Sequence, residues 1–497
     1  MAGDCALMKD RLAGAAPEAK RTNIVYILAD QLGYQHCGYA GASRALTPHI
    51  DRLAAQGVNF RQAVSSMPVC AAYRASLFTG KYTTSTGMVI NELRMNPHHE
   101  CLGHVLTRNG YETGYIGKWH LYANQLGNHT DTKNSFVPRG PYRLGFDGLW
   151  AAYNFHHNYY GAYYHRESPE KILYGKDAYE PDAQTDMAID FIKSKAGGQK
   201  PFCLMLSVGT PHDPWTAGNV PKEEVDRFKD ANFPLPPNHS KQHDPYGDAW
   251  ARGPCEPDVI QNEKRFYSGM TANLDRNIGR LMKAIEDAGI AGETIVVFTS
   301  DHGEMFGAHG RRAKNIFYDE AARVPFLVRF TTKIKPGTAS DACLNTVDIM
   351  PTLLGLCGLG KRIPKDVEGM DLSQAAFGKT GPEPEAALLM NTGACASWED
   401  GHEWRALRDK RFTYAVYRGG AKLPRKEMLF DNSRDPYQMK NLADDPAQAA
   451  EIKRFREMLR DKMSDLRDDF PESTWYRDHW TKDRIITASA RGAFPED

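Results

Sequence analysis

Four short apolar runs in the first two-thirds of the chain each end in a polar or charged cluster. Asn23 to Leu28 is followed by Asp30-Gln31, and Tyr111 to Ile116 leads into Gly117-Lys118-Trp119-His120. Phe202 to Val208 ends in Gly209-Thr210-Pro211-His212, and Thr294 to Thr299 runs into Ser300-Asp301-His302-Gly303. Short runs that are apolar without alternation read as strands buried on both faces. Helical stretches intervene: Thr47-Pro48 supplies an N-cap and a first-turn proline, and Gly57 a stop after Leu53-Ala54-Ala55. Strands alternating with helices predict an α/β fold with a large, mostly parallel central sheet flanked by helices. Such sheets bind ligands beyond the carboxyl ends of their strands, so the four clusters are expected to meet.

The pattern changes near residue 380. Gly381-Pro382-Glu383-Pro384-Glu385 reads as a linker. Antiparallel-looking strands follow at Trp404 to Arg408 and Arg411 to Tyr417, then a Gly419-Gly420 turn region. A helix is predicted from Pro446 to Leu466, with Ile452, Phe455, Met458, Leu459 and Met463 on one stripe. The division expected is a catalytic α/β domain over 1–380 and a smaller α+β domain over 381–497. The tail from Phe470 is too irregular to assign.

Composition narrows the function. Lys plus Arg and Asp plus Glu both number 62 in 497 residues, so no global positive field points to nucleic acid or a membrane surface. A polyanionic substrate has to be met by a local basic pocket. No run of about eighteen apolar residues suggests a membrane span. Nine scattered cysteines without a C-x-x-C pair argue against a zinc ribbon or thioredoxin motif and read as reduced core thiols, one of them special. Met1 to Lys20 lacks the apolar core of a signal peptide. The chain as written reads as cytoplasmic, with a trimmed signal left open, and its oligomeric state is not legible.

The most specific segment is Cys70-Ala71-Ala72-Tyr73-Arg74-Ala75-Ser76-Leu77-Phe78-Thr79-Gly80-Lys81. It predicts one short helix with Cys70 near its N-terminus, where unpaired N–H donors and the helix dipole favour a nucleophile that handles an oxyanion, and with Gly80 ending it. An arbitrary cysteine is more often a small core residue; here the neighbours decide otherwise. The segment resembles the C-x-[P/A]-x-R signature of type I sulfatases of the alkaline-phosphatase-like superfamily, with Ala72 where most members carry Pro. Other pieces are similar in the same order: Ile27 to Gln31, Gly117 to Leu121, Thr210-Pro211-His212, Ser300 to Gly303 with Arg311 to Lys314, Val347 to Leu353, and Met428 to Asp431 with Asp435-Pro436 and Asn441-Leu442-Ala443.

The resemblance implies an enzyme hydrolysing sulfate monoesters, in which a formylglycine-generating maturation enzyme oxidises Cys70. It implies one divalent cation held by Asp30, Gln31, Asp301, His302 and the modified Cys70. Calcium is put first by family, although the imidazole of His302 also suits manganese or zinc. Many relatives have a second Asp in place of Gln31. Lys118 and Lys314 would neutralise the sulfate, Arg74 would hold the modified side chain, and His212 would protonate the leaving oxygen. His120 would help deprotonate the second hydroxyl of the hydrated aldehyde, so that sulfate is expelled. Taken singly, the aspartates fit strand caps, the lysines solvated charges and the histidines structural roles; their conjunction with Cys70 assigns the chemistry.

Substrate choice is less legible. The stretch Tyr153 to Tyr160, with Trp150 before it and Tyr163-Tyr164-His165 after, reads equally as a sugar-stacking surface or a packing cluster. Asn91-Glu92-Leu93-Arg94 is a candidate pocket rim. A sulfated carbohydrate is the expected substrate, with a general arylsulfatase, a phosphonate monoester or phosphodiester hydrolase, and a glycan-binding relative with unmodified Cys70 as alternatives.

Overall fold

Eight strands form the main sheet of the computed structural model, which describes residues 22–123, 125–421 and 423–495. Their spatial order is Thr338–Ser340, Val58–Phe60, Phe326–Arg329, Thr294–Ser300, Asn23–Asp30, Phe202–Pro211, Glu112–Lys118 and Leu149–Tyr153. Every neighbouring pair is parallel except the two made by Phe326–Arg329, which is antiparallel to both its neighbours. The sequence-based expectation of a mostly parallel sheet therefore holds. The reading of Met1 to Lys20, and Cys5 with it, lies outside the described residues.

The central strand shows why the sheet forms. Ile24, Tyr26 and Leu28 face one apolar core while Val25, Ile27 and Ala29 face another, all at most 1% exposed. Burying each of the larger side chains contributes about 1.5–3 kcal/mol relative to exposure, so the run is stable only between two covering layers. One layer contains the Cys70–Thr79 and Thr346–Leu356 helices; the other contains Pro48–Gln56, Glu180–Lys195 and the 31-residue helix Pro257–Asp287. Gly117 brings the polar end of the Glu112–Lys118 strand into place. Its φ is +102°, and a Cβ there would lie 2.0 Å from the Ser207 carbonyl oxygen. Only glycine lets the Glu112–Lys118 strand lie this close to Phe202–Pro211 one residue before Lys118.

A second, antiparallel sheet runs Ala387–Asn391, Trp404–Arg408, Phe412–Tyr417, Lys426–Asp431. One face (Leu388, Leu407, Tyr414, Leu429) joins the core under the Ala449–Leu466 helix, whose Ile452, Phe455 and Leu459 are buried there. The other face (Leu389, Ala406, Tyr417, Phe430) packs on Met305, Ile316 and Phe317. The tail left unassigned from sequence is ordered by docking. It forms the Ser473–Trp480 helix and two short hairpins, one of which bridges Arg94 to Ile485. Among the described residues no helix is long and apolar enough to cross a membrane.

Candidate active site

Asp30, Lys118, Asp301 and His212 all lie at the carboxyl ends of parallel strands, and the Cys70–Thr79 helix points its first residue at them. The helix stops at Gly80, in the left-handed region at φ 66°, where its N–H bonds to the Ser76 carbonyl. Asn91 Oδ1 accepts the N–H of Ala71 at 3.0 Å, one of the helix's otherwise unpaired first-turn donors. Cys70 Sγ lies 3.2 Å from Lys314 Nζ, 3.2 Å from His302 Nε2 and 3.8 Å from Asp30 Oδ1. Burial and Asp30 act to raise the thiol's pKa, but Lys118 and Lys314 outweigh them and hold it below its ordinary value.

The charges around Cys70 are buried and interlocked. Lys118 Nζ donates to Asp30 Oδ2 at 2.6 Å, and all three of Arg74, Lys118 and Asp30 are fully buried. Arg74 reaches Asp30 and Asp301 at 3.4 Å each, and is anchored by the Lys118 carbonyl at 2.7 Å and the Ser207 hydroxyl at 2.6 Å. Burial alone would raise Asp30, but Lys118, His212, Arg74 and Lys314 hold its carboxyl well below the usual range. Three buried cations (Arg74, Lys118, Lys314) thus face two buried carboxylates, an excess of positive charge aimed at an anion. Neither lysine is the solvated surface charge that each resembles in isolation.

Asp30, Cys70, Asp301 and His302 offer ligand atoms within 4.8 Å of one another, and all four are buried. His302 Nδ1 lies 3.0 Å from the Gly303 carbonyl, which can only accept, so Nδ1 carries the proton and Nε2 keeps its lone pair toward the cluster. Burial brings that imidazole down to about 4, which leaves it neutral and able to ligate. Two carboxylates and a free imidazole nitrogen suit a divalent cation. Gln31 sits beside this set in the left-handed region at φ 69°. Its N–H donates to Asp301 at 3.1 Å, its amide nitrogen to Glu304 at 2.8 Å, and its amide oxygen accepts from Lys314 at 3.2 Å. That oxygen already accepts from Lys314, so a cation bound there would share it with the lysine or displace the lysine from it.

The two remaining histidines occupy different places. His212 Nε2 accepts from Lys314 Nζ at 2.8 Å, and Nδ1 lies 3.0 Å from the Asp213 carbonyl. Its ring stacks on His157 at 3.8 Å with 7° between planes. His120 is one layer further out: its Nε2 lies 3.0 Å from Glu92 Oε1, and the Phe155 ring contacts both His120 and Lys118 Nζ. Most of the aromatic stretch proves to be packing. Trp150, Tyr153, His156 and Tyr159 are at most 4% exposed, with His156 stacked on Tyr153. Phe155, His157, Asn158 and Tyr160 keep some exposure. Glu304 and Ser207 are not singled out by the sequence; Glu304 has a signal, three residues after Asp301, whereas Ser207 has none, and Phe155 is marked only as one ring of the aromatic stretch.

Known proteins resemble this chain over most of its length. The family model described as Sulfatase matches residues 22–359, and that of the N-sulphoglucosamine sulphohydrolase C-terminal region matches 307–469. An ulvan-active sulfatase from Formosa agariphila is 37% identical over 466 residues, covering 92% of this chain and 84% of that one. An N-acetylglucosamine-6-O-sulfatase from Bacteroides thetaiotaomicron is 24% identical, covering 92% and 88%. The crystal structure of yidJ from Bacteroides fragilis, assigned to the sulfatases, has a TM-score of 0.80 at 28% identity and covers 93% and 99%.

Proposed function

The chain belongs to the sulfatase family and is a sulfuric ester hydrolase, and we propose that it removes sulfate from a saccharide through formylglycine made at Cys70. The observation that carries this reading is the closure of a buried Asp30–Asp301–His302 donor set on Cys70, ringed by Arg74, Lys118 and Lys314. Relatives active on ulvan and on N-acetylglucosamine 6-sulfate support a saccharide substrate. So do the partly exposed Phe155, His157 and Tyr160, whose rings offer faces to a sugar.

A divalent cation, calcium in this reading, would be held by Asp30, Asp301 and His302 with help from Gln31, and would supply Lewis-acid charge against the sulfate. Oxidised residue 70 would supply, as its hydrate, one hydroxyl to attack sulfur and a second whose proton loss expels sulfate. Lys118 and Lys314 neutralise the sulfate oxygens. Arg74, pinned on three sides, holds the Asp30 and Asp301 carboxylates in place. When Lys314 turns from His212 to the sulfate, Nε2 of His212 is freed to take up a proton from solvent and pass it to the leaving oxygen. His120 takes the proton of the second hydroxyl.

The test is a turnover panel of sulfated oligosaccharides, an aryl sulfate and an aryl phosphodiester, with calcium and then manganese. Saccharide sulfate turnover with calcium is the expected result. A faster phosphodiester reaction would move the chain to the phosphonate monoester branch, and binding of sulfated glycan without turnover would make it a lectin-like relative.

A further inference from the structure

Glu92 and His120 are both buried non-glycine residues in the left-handed region, at φ 61° and 58°. That conformation costs on the order of 1–3 kcal/mol per residue and persists only where the surroundings impose it. Here it brings Glu92 Oε1 to 3.0 Å from His120 Nε2. Both partners are held from behind. The His120 N–H donates to the Asn154 carbonyl at 2.8 Å. Arg484 donates to the Glu92 carbonyl at 2.7 Å and to the Asn91 carbonyl at 2.9 Å. Arg484 comes from the C-terminal tail, beyond the residues matched by either family model, and the tail is bonded alongside through Arg94 and Ile486. On the open side, the Phe155 ring lies 4.5 Å from the His120 ring and 4.2 Å from that of His129, whose Nδ1 is 3.6 Å from the second Glu92 oxygen.

With Nε2 engaged, His120 Nδ1 is buried and has no hydrogen-bond partner among the described residues. A buried polar atom left unpaired costs about 1–3 kcal/mol, so this nitrogen is poised for a group that arrives with the substrate or with maturation of residue 70. We propose that Glu92 is a positioning residue for His120: its carboxyl locks the ring through Nε2 and so presents Nδ1 to the reacting group. The proposal rests on the reading that His120 takes a proton during sulfate release. It gives the loop after the Cys70 helix, and the tail that holds it, a part in the reaction that no direct contact with substrate reveals.

Three variants test it. Glu92→Gln keeps an oxygen at the same reach, Glu92→Asp keeps the charge but withdraws it by one methylene, and Glu92→Ala removes it. Glu92→Asp and Glu92→Ala are expected to lower kcat by about 10- to 100-fold with KM little changed, and Glu92→Gln to retain most of the parent kcat. Nitrogen-15 spectra of histidine-labelled protein, with His120 assigned by its absence in His120→Gln, supply a readout independent of turnover. The two His120 ring nitrogens should be well separated in the parent and in Glu92→Gln, and drawn together in Glu92→Ala. Should Glu92→Ala fail to fold, Glu92→Asp carries the test, because Asp tolerates the left-handed region. Parent kcat in Glu92→Asp, or His120 resonances indifferent to residue 92, would overturn the proposal. A parent protein that turns over no sulfate ester would sink the sulfatase reading instead, while the ring resonances would still decide the role of Glu92.

Discussion

Lys314 Nζ lies 2.8 Å from His212 Nε2, so the lysine occupies the position on the histidine that a leaving oxygen needs. The same ammonium is 3.2 Å from Cys70 Sγ. One side chain therefore links the proposed nucleophile to the proposed general acid, and an incoming sulfate would compete for it. Cys70, the negative site charges and its own burial all act on Lys314; although burial opposes, the negative groups hold the lysine well above its ordinary pKa and keep it charged.

Removal of His212 follows directly. His212→Ala should slow sugar sulfates, whose alkoxide leaves poorly, far more than activated aryl sulfates, by about a hundredfold or more. Parallel kcat measurements on the two ester types check this. Equal losses would confine His212 to placing the sulfate and leave His120 as the candidate acid.

The donor set predicts metal dependence with a structural signature. Asp301→Ala should abolish turnover and reduce calcium affinity by more than the roughly 10- to 100-fold that loss of a supporting residue costs. Calcium titration by calorimetry on parent and variant measures it. Unchanged affinity would place the cation elsewhere.

Glu180 gives a pH prediction away from the site. The side chain is fully buried under Tyr153 and His156, and burial outweighs its hydrogen bonds to push the carboxyl up to about 8. In the unfolded chain it ionises near 4.5, so the folded state binds the extra proton between those values. Stability therefore falls as pH rises from about 4.5 to about 8, and the loss is complete above the folded value. Glu180→Gln should flatten this part of the profile in denaturant titrations at pH 5 and pH 8. An identical slope in parent and variant would show that Glu180 does not titrate there.

Attachment of the second sheet depends on an ion pair. Asp319, which opens the short Asp319–Ala322 helix, accepts two bonds at 2.9 Å from Arg408 of the Trp404–Arg408 strand, whose side chain is 4% exposed. Asp319→Asn leaves that guanidinium without its counter-charge and should cost about 3–5 kcal/mol in urea unfolding. A change near zero would mean that the apolar face around Phe317 and Phe430 holds the sheet alone.

The strands were readable because a buried run needs consecutive apolar residues, and the polar residue at its end had nowhere else to go. Asp30, Lys118 and Asp301 stand at or just past such ends; Cys70 and Lys314 do not, and it is the resemblance of their segments to a known family that singles them out. The helix Pro257–Asp287 was passed over although its signals are present: Glu256-Pro257-Asp258 at the start, then buried Ile260, Tyr267, Leu274, Ile278, Leu281 and Ile285. The tail was illegible for a different reason. Its short hairpins are fixed by bonds to residues nearly four hundred positions away, such as Ile486 to Arg94, and no local period encodes such a contact. The aromatic stretch resisted a decision because stacking on a sugar and packing in a core ask for the same residues.

The central claim is that residue 70 acts as an oxidised cysteine. Protein produced with and without a formylglycine-generating enzyme can be digested, and the mass of the tryptic peptide Gln62 to Arg74 compared with sulfate ester turnover in the same samples. The account predicts that turnover rises in proportion to the fraction of peptide carrying aldehyde, and that Cys70→Ser, which lacks a second hydroxyl, shows no multiple turnover in either preparation. Full turnover by protein whose residue 70 is entirely thiol would contradict it.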